Sequence, residues 1–163
     1  MAKATPRATP ASQALDKAGI AYAMVAYAYD PEAPRIGLQA AEALSVEPGC
    51  ILKILMAAVD GQPVCLLVAS DKEVAMKRVA SAMGGKAAAM LKPLEAKRIT
   101  GYHVGGISPL GAKRRVPVLV DEGSLADRPE IHVNGGGRGL QLRLATADLV
   151  AVLQARVVVL AER

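Results

Sequence analysis

The chain has 163 residues, 52% of them apolar and 21% charged, enough for one hydrophobic core under a wet surface and too little for two full-sized domains. Trp and Phe are absent and four Tyr are the only aromatics, which argues against a nucleic-acid module built on an aromatic stacking platform. Twenty Lys and Arg against fifteen Asp and Glu leave a formal charge of +5, a balance that suits either a polyanionic partner or a merely dispersed basic surface.

Residues 1–8 are small, polar and broken by proline, and are expected to form a flexible tail carrying Lys3 and Arg7. Residues 9–163 then form a single domain. Thr9 caps a helix with Pro10 at its first position, stopped by Gly19. A strand follows from Ile20 to about Tyr27, a loop from Asp30 to Arg35, and a short helix from Gly37 to Leu44. Cys50–Val59 and Pro63–Ala69 are apolar runs joined through Asp60-Gly61, the best hairpin in the chain. Ser70 and Glu73 have capping-box spacing ahead of a helix that ends at Gly84-Gly85. Lys86–Met90 is ambiguous, and Pro93–Arg98 has room for one or two helical turns. Tyr102–Gly111 is an ordered loop, while Arg115–Val120, Glu130–Val133 and Leu140–Leu144 are strands. Thr146 caps a last helix, Ala147–Gln154, before a β-branched run, Val157–Leu160. Strands and helices mix without regular βαβ alternation, so the expected class is α+β with a mixed, mainly antiparallel sheet.

No apolar stretch reaches the roughly 18 residues of a spanning helix, and the first residues lack the apolar segment of a secretory signal. The expectation is a soluble, unexported protein with no membrane partner. Cys50 and Cys65 lie in apolar runs, where cysteine behaves as a small hydrophobe. A reducing cytoplasm is the simplest setting, and a single disulfide is the alternative.

Lys53 most needs explaining, because it interrupts a strand whose neighbours Ile51, Leu52, Ile54, Leu55 and Met56 are apolar on both faces. Either its stem packs while its head reaches water, or the ammonium enters a cleft to hold an anion or polarise a carbonyl. The loop Gly105-Gly106-Ile107-Ser108-Pro109-Leu110-Gly111 is either a tight turn or a cradle whose N–H groups face an oxyanion. Asn134-Gly135-Gly136-Gly137-Arg138-Gly139 is either a hairpin turn or a segment abutting a ligand, with Arg138 meeting a phosphate. Neither glycine segment has the P-loop or dinucleotide pattern. His132 alternates with Ile131 and Val133 and is expected to face outward from its strand. CxxC and HExxH are missing, so no metal site is expected, and Ser108 does not sit in GxSxG.

Four segments in order, Tyr27-Ala28-Tyr29-Asp30-Pro31, the strand with Lys53, Thr100–Gly111 and Val133–Leu142, resemble the YbaK/EbsC group of prolyl-tRNA-synthetase-associated editing domains. The resemblance runs from about Thr9 to the C-terminus. It implies a barrel-like sheet with surrounding helices and hydrolysis of mischarged tRNA, typically Cys-tRNA(Pro), with Ala-tRNA(Pro) and other aminoacyl-tRNAs handled by relatives. It also implies a catalytic pocket with the lysine at Lys53, a GxxxP motif at Gly105 to Pro109, and a tyrosine at Tyr27. It carries with it no cofactor, no metal and no covalent enzyme intermediate. The resulting candidates are Lys53, Gly105, Gly106 and Pro109 for catalysis, and Tyr27, Ile107, Ser108, Asn134, Gly135, Gly136, Arg138 and Gln141 for substrate binding. Gln141 stands where the best-known members have an acidic residue, and Asn134 where some have Ser. The expected partners are aminoacyl-tRNA, chiefly tRNA(Pro), and prolyl-tRNA synthetase; a non-catalytic tRNA- or synthetase-binding module is the alternative.

Overall fold

A computed structural model describes residues 7–30, 32 and 36–162. Most of the expected tail, including Lys3, lies outside that set, as do Pro31, Pro34 and Arg35 of the expected loop.

Local chemistry sets the first elements. Helix α1 (Pro10–Ala18) starts at Thr9, whose hydroxyl accepts from Ser12 N–H at 3.1 Å while Ser12 Oγ accepts from Thr9 N–H at 2.8 Å. It ends at Gly19, which takes the left-handed conformation with φ 71°. Strand β1 (Tyr22–Ala26) and helix α2 (Ile36–Leu44) follow, then a 3₁₀ turn at Pro48–Cys50. Strands β2 (Leu52–Val59) and β3 (Gln62–Ala69) form the expected hairpin, with Asp60 and Gly61 both at positive φ as a type I′ turn requires. Asp60 also accepts from the N–H groups of Lys86 and Ala87, which settles the ambiguous stretch as strand β4 (Ala88–Met90) against β2.

Helix α3 (Met76–Ala82) corrects the capping expectation. It begins after Ala75 with no side-chain cap, and Ser70 instead donates to the Ile51 carbonyl at 2.8 Å. The remaining elements are α4 (Pro93–Thr100), β5 (Val118–Asp121), α5 (Glu122–Leu125), β6 (Glu130–Asn134), β7 (Leu140–Ala145), α6 (Thr146–Leu153) and β8 (Arg156–Val158). Thr146 is likewise no cap: it is the first helical residue, and its hydroxyl donates to the Arg128 carbonyl at 2.5 Å.

The strands form two sheets, ordered β1-β7-β6 and β4-β2-β3-β5-β8. Pairing is antiparallel except at β3/β5 and β5/β8. The fold is thus the expected mixed α+β, but its sheet does not close: the two sheets meet through a single parallel bridge between Ile51 and His132. The main core lies between the sheets and includes Leu15, Leu52, Met56, Leu67, Ile107, Leu110, Ile131, Val133, Leu142 and Leu144. A second cluster joins the other face of β2 and β3 to α3 through Ala57, Val64, Leu66 and Val79. Both cysteines are free, and burial pushes the Cys65 thiol up to about 12, so the disulfide alternative falls away. Among the described residues no helix is long and apolar enough to cross a membrane.

Candidate functional site

The period of two decides which side chains can meet. Along β2, Leu52, Ile54 and Met56 face the main core, while Leu55, Ala57 and Val59 face the second cluster. Ile51 packs instead with Ala40, Ala41, Tyr27 and Val46 in a third, small cluster beside α2. Lys53 therefore projects on the odd face, between Ile51 and Leu55, and away from the side on which Ile107 and Leu110 are buried. Its ammonium lies 3.4 Å from Glu73 Oε1; the Lys53 side chain is 21% exposed and that of Glu73 78%. An ion pair with one such exposed partner is worth at most about 1 kcal/mol, so Glu73 can readily give way to an anionic ligand. The Ile51–His132 bridge lies two residues before Lys53, so Lys53 follows directly on the point where the two sheets meet.

Asn134 ties the loops together. Its amide donates to the Gly105 carbonyl at 3.3 Å, and its carbonyl accepts from Gly136 N–H at 2.7 Å and Gly137 N–H at 3.1 Å. The two glycine segments touch backbone to backbone: a Cβ on Gly106 would lie 3.0 Å from the Gly137 carbonyl carbon. Gly105 has φ +94°, which only glycine adopts without strain. Arg138 donates to the Val104 carbonyl at 3.1 Å and stacks 5.6 Å from the centre of the Tyr29 ring, leaving the guanidinium exposed. His103, Gly106, Gly136, Gly137 and Arg138 line a recess of about 330 Å³.

Two braces hold this arrangement. Thr9 donates to the Gly135 carbonyl at 2.6 Å, joining the α1 cap to the second glycine loop. Tyr102 is buried, with its phenol pushed up to about 12 by that burial; it donates to the Leu110 carbonyl at 2.7 Å, and its ring lies beneath Gly136.

The site residues expected from sequence thus fall into three places. Gly105, Gly106, Asn134, Gly136 and Arg138 come together at the recess, with Gly135 buried behind it. Ile107 points into the core, while Ser108 and Pro109 line a separate cavity of about 220 Å³ with Met56, Val118 and Leu153. Lys53 lines neither of these cavities and stands on β2, next to the point where Ile51 meets His132 of β6. The N–H groups of Gly106, Gly136 and Gly137 are already bonded, to the His103 carbonyl and to Asn134, so they are not free oxyanion donors.

Tyr27 and Gln141 form the third place, with a partner that sequence reasoning missed. Burial raises the Tyr27 pKa, partly offset by the Gln141 amide acting on its hydroxyl. On β6 and β7, Ile131, Val133, Leu142 and Leu144 face the main core, so His132, Asn134, Gln141 and Arg143 share the opposite face. His132 is on the outward face, yet only 8% exposed, and Gln141 is 4% exposed. The expectation of a solvent-facing His132 fails because Ile51 of the other sheet lies alongside it. Burial first, then Arg143, lowers the His132 pKa, with Glu130 opposing, so the imidazole is neutral at neutral pH. Among the described residues, His132 Nδ1 and Gln141 Oε1 are buried without a hydrogen-bond partner. Each such group costs about 1–3 kcal/mol.

Two open sheets, one antiparallel and one mixed, with a glycine-lined recess between their loops, make the fold of prolyl-tRNA-synthetase-associated editing domains. A crystal structure described as a trans-editing enzyme for prolyl tRNA synthetase shares it with a TM-score of 0.82 at 26% identity, over 99% of this chain and 100% of that one. The chain belongs to the aminoacyl-tRNA editing domain family, whose family model matches residues 30–152. It is 33% identical over 113 residues to EbsC of Enterococcus faecalis, whose name assigns it to Cys-tRNA(Pro)/Cys-tRNA(Cys) deacylation, covering 69% of this chain and 68% of EbsC. The Ser/Thr-tRNA deacylase ProXp-y of Escherichia coli K12 is 28% identical over 60% of this chain and 58% of its own. A proline–tRNA ligase of Limosilactobacillus fermentum is 30% identical over 74% of this chain but only 21% of the ligase.

Proposed function

We propose that the protein is an aminoacyl-tRNA deacylase that clears Cys-tRNA(Pro) in the cytoplasm. The observation that carries the reading is Asn134, which binds both glycine loops while lying beside the strand of Lys53. Arg138 thereby stands at a recess sized for a nucleotide terminus, and Lys53 on the neighbouring strand β2. The cations suit the 3′ end of a charged tRNA, Arg138 through its forked N–H groups on a phosphodiester and Lys53 by exchanging Glu73 for the negative charge that develops on the ester as it is cleaved. The match within a proline–tRNA ligase favours tRNA(Pro) as the carrier and the ligase as a working partner.

An aminoacyl ester is already activated, so orientation and a few kcal/mol of charge stabilisation suffice for its cleavage. With a cysteinyl ester the substrate supplies the nucleophile. Its sulfur forms a bond to the ester carbonyl, the bond from that carbonyl to the ribose oxygen breaks, and the thiol proton ends on the released ribose hydroxyl. Water then opens the cyclic thioester. No covalent bond to the protein forms.

The reading is tested with a panel of mischarged tRNAs and the Lys53→Ala variant. Cysteinyl-tRNA(Pro) should be cleared by the wild type, and the variant should lose turnover with little loss of tRNA affinity. Binding without turnover in the wild type would make the protein a tRNA-binding module instead, and equal cysteinyl and seryl rates would reject thiol assistance.

A further inference from the structure

We infer that His132 and Gln141 form a hydrogen-bonding floor that reads the aminoacyl side chain, favouring esters whose β-carbon bears a thiol or hydroxyl over the alanyl ester. The inference rests on the deacylase reading and narrows its substrate class.

Three observations converge. First, register: His132 pairs with Arg143 and Asn134 with Gln141, so His132 and Gln141 are diagonal neighbours on one face, a spacing within reach of two long side chains. Second, both are more than nine-tenths buried, and His132 Nδ1 and Gln141 Oε1 have no partner among the described residues. Native interiors seldom leave such atoms unpaired. Third, the pair adjoins the proposed site, because Gln141 lies opposite Asn134 in the β6/β7 register. Its neighbours Tyr27 and Asn134 are each half-buried, and Asn134 is the residue that binds both glycine loops.

The chemistry of the two atoms defines what they would take. Gln141 Oε1 accepts, and Nδ1 of a neutral imidazole accepts or donates according to tautomer. A hydroxyl or thiol offers one proton and lone pairs, so it serves either atom, whereas the alanyl methyl leaves both unpaired. Sites built around a polar substrate atom reject analogues that lack it more strongly than apolar pockets reject a missing methylene. The charged groups facing His132 are Arg143 across the pair and Glu130 two residues back on its own strand. Arg143 and Glu130 are 4.0 Å apart and half or more exposed, which leaves them to each other at the rim while the uncharged pair forms the floor.

The test uses the full chain and non-hydrolysable adenosines carrying seryl, cysteinyl or alanyl groups in 3′-amide linkage, together with kcat/KM for the three tRNA esters. The wild type should bind the seryl and cysteinyl analogues at least about tenfold more tightly than the alanyl one, a lower bound well inside the range polar readout reaches. Gln141→Leu and His132→Phe should each shrink that ratio to within about threefold, chiefly by weakening the seryl and cysteinyl analogues, and His132→Asn should restore part of it because its amide reoccupies the Nδ1 position. A wild-type ratio near one would mean that solvent serves the two atoms, and would overturn the inference. Equal weakening of all three analogues in the variants would reduce the pair to a structural role and overturn it as well. Discriminating binding without cleavage of any ester would sink the deacylase reading and leave the floor standing; cleavage without discrimination would do the reverse.

Discussion

Two buried polar clusters in this molecule contrast sharply. Asp121, at the end of β5, is 1% exposed, and its carboxylate accepts from Ser124 N–H and Oγ and from the N–H groups of Leu160 and Ala161. Burial would raise its pKa, but those bonds, with Lys72 nearby, outweigh it and hold the group below the usual carboxylate range. His132 and Gln141 are nearly as deep but keep unpaired atoms. The first cluster ends strands and fastens the C-terminal segment, which is a structural task complete in itself. The second is complete only when something else supplies a partner.

Substitution should break the two in opposite directions. Asp121→Ala orphans several donors and should destabilise the protein by about 3 kcal/mol in urea unfolding. A loss below about 1 kcal/mol would remove the contrast. The stability from Asp121 should be present above the ordinary carboxylate value near pH 3.9 and lost as pH falls through its lower folded value. Gly106→Ala comes next, at about 1–3 kcal/mol or a matching loss of turnover, because its Cβ would press on the Gly137 backbone, which has no rotamer to yield. An unaltered rate and stability would show that the glycine loops do not need their close contact.

Gln141→Leu should raise stability by up to about 1 kcal/mol, since it removes a buried carbonyl oxygen that has no partner and leaves an apolar group of similar volume, at the cost of the amide's contact with the Tyr27 hydroxyl. A marked loss would mean that the amide is already satisfied. His132 sharpens the same point through pH: its folded pKa lies below the unfolded value near 6.5. The unfolded chain therefore takes up the proton first, and stability falls as pH drops below that value. His132→Phe should flatten that limb of the acid-unfolding profile. Glu73→Gln, by contrast, should change stability by less than about 0.5 kcal/mol, since its pair with Lys53 is largely exposed on the Glu73 side.

What was legible in the sequence was local. The Thr9 cap and Gly19 stop, the Asp60-Gly61 hairpin and the alternation of Leu140–Leu144 each draw their meaning from residues a few positions apart, and each element stands where it was expected. The Ser70 and Thr146 caps failed because a tertiary partner, the Ile51 and Arg128 carbonyls respectively, competed for the hydroxyl. The β1/β7 pairing that sets the two sheets apart joins residues more than a hundred positions apart and the parallel β3/β5 pairing residues about fifty apart, which no local pattern encodes. The same limit hid His132. Alternation told which face it occupies, but what covers that face comes from Ile51, eighty-one positions earlier. The family resemblance supplied the glycine motif and Lys53, yet not that Ser108 and Pro109 face a different cavity from Gly105 and Gly106.

The most direct test of the central claim is a single-turnover assay of Cys-tRNA(Pro) with the wild type and Lys53→Ala, with tRNA affinity measured in parallel. The wild type should release cysteine from the tRNA, and the variant should slow by about 100-fold or more, as for loss of one electrostatic stabiliser, while its tRNA affinity changes by no more than about threefold. An intact ester in the presence of wild type, or a variant as fast as wild type, would contradict it.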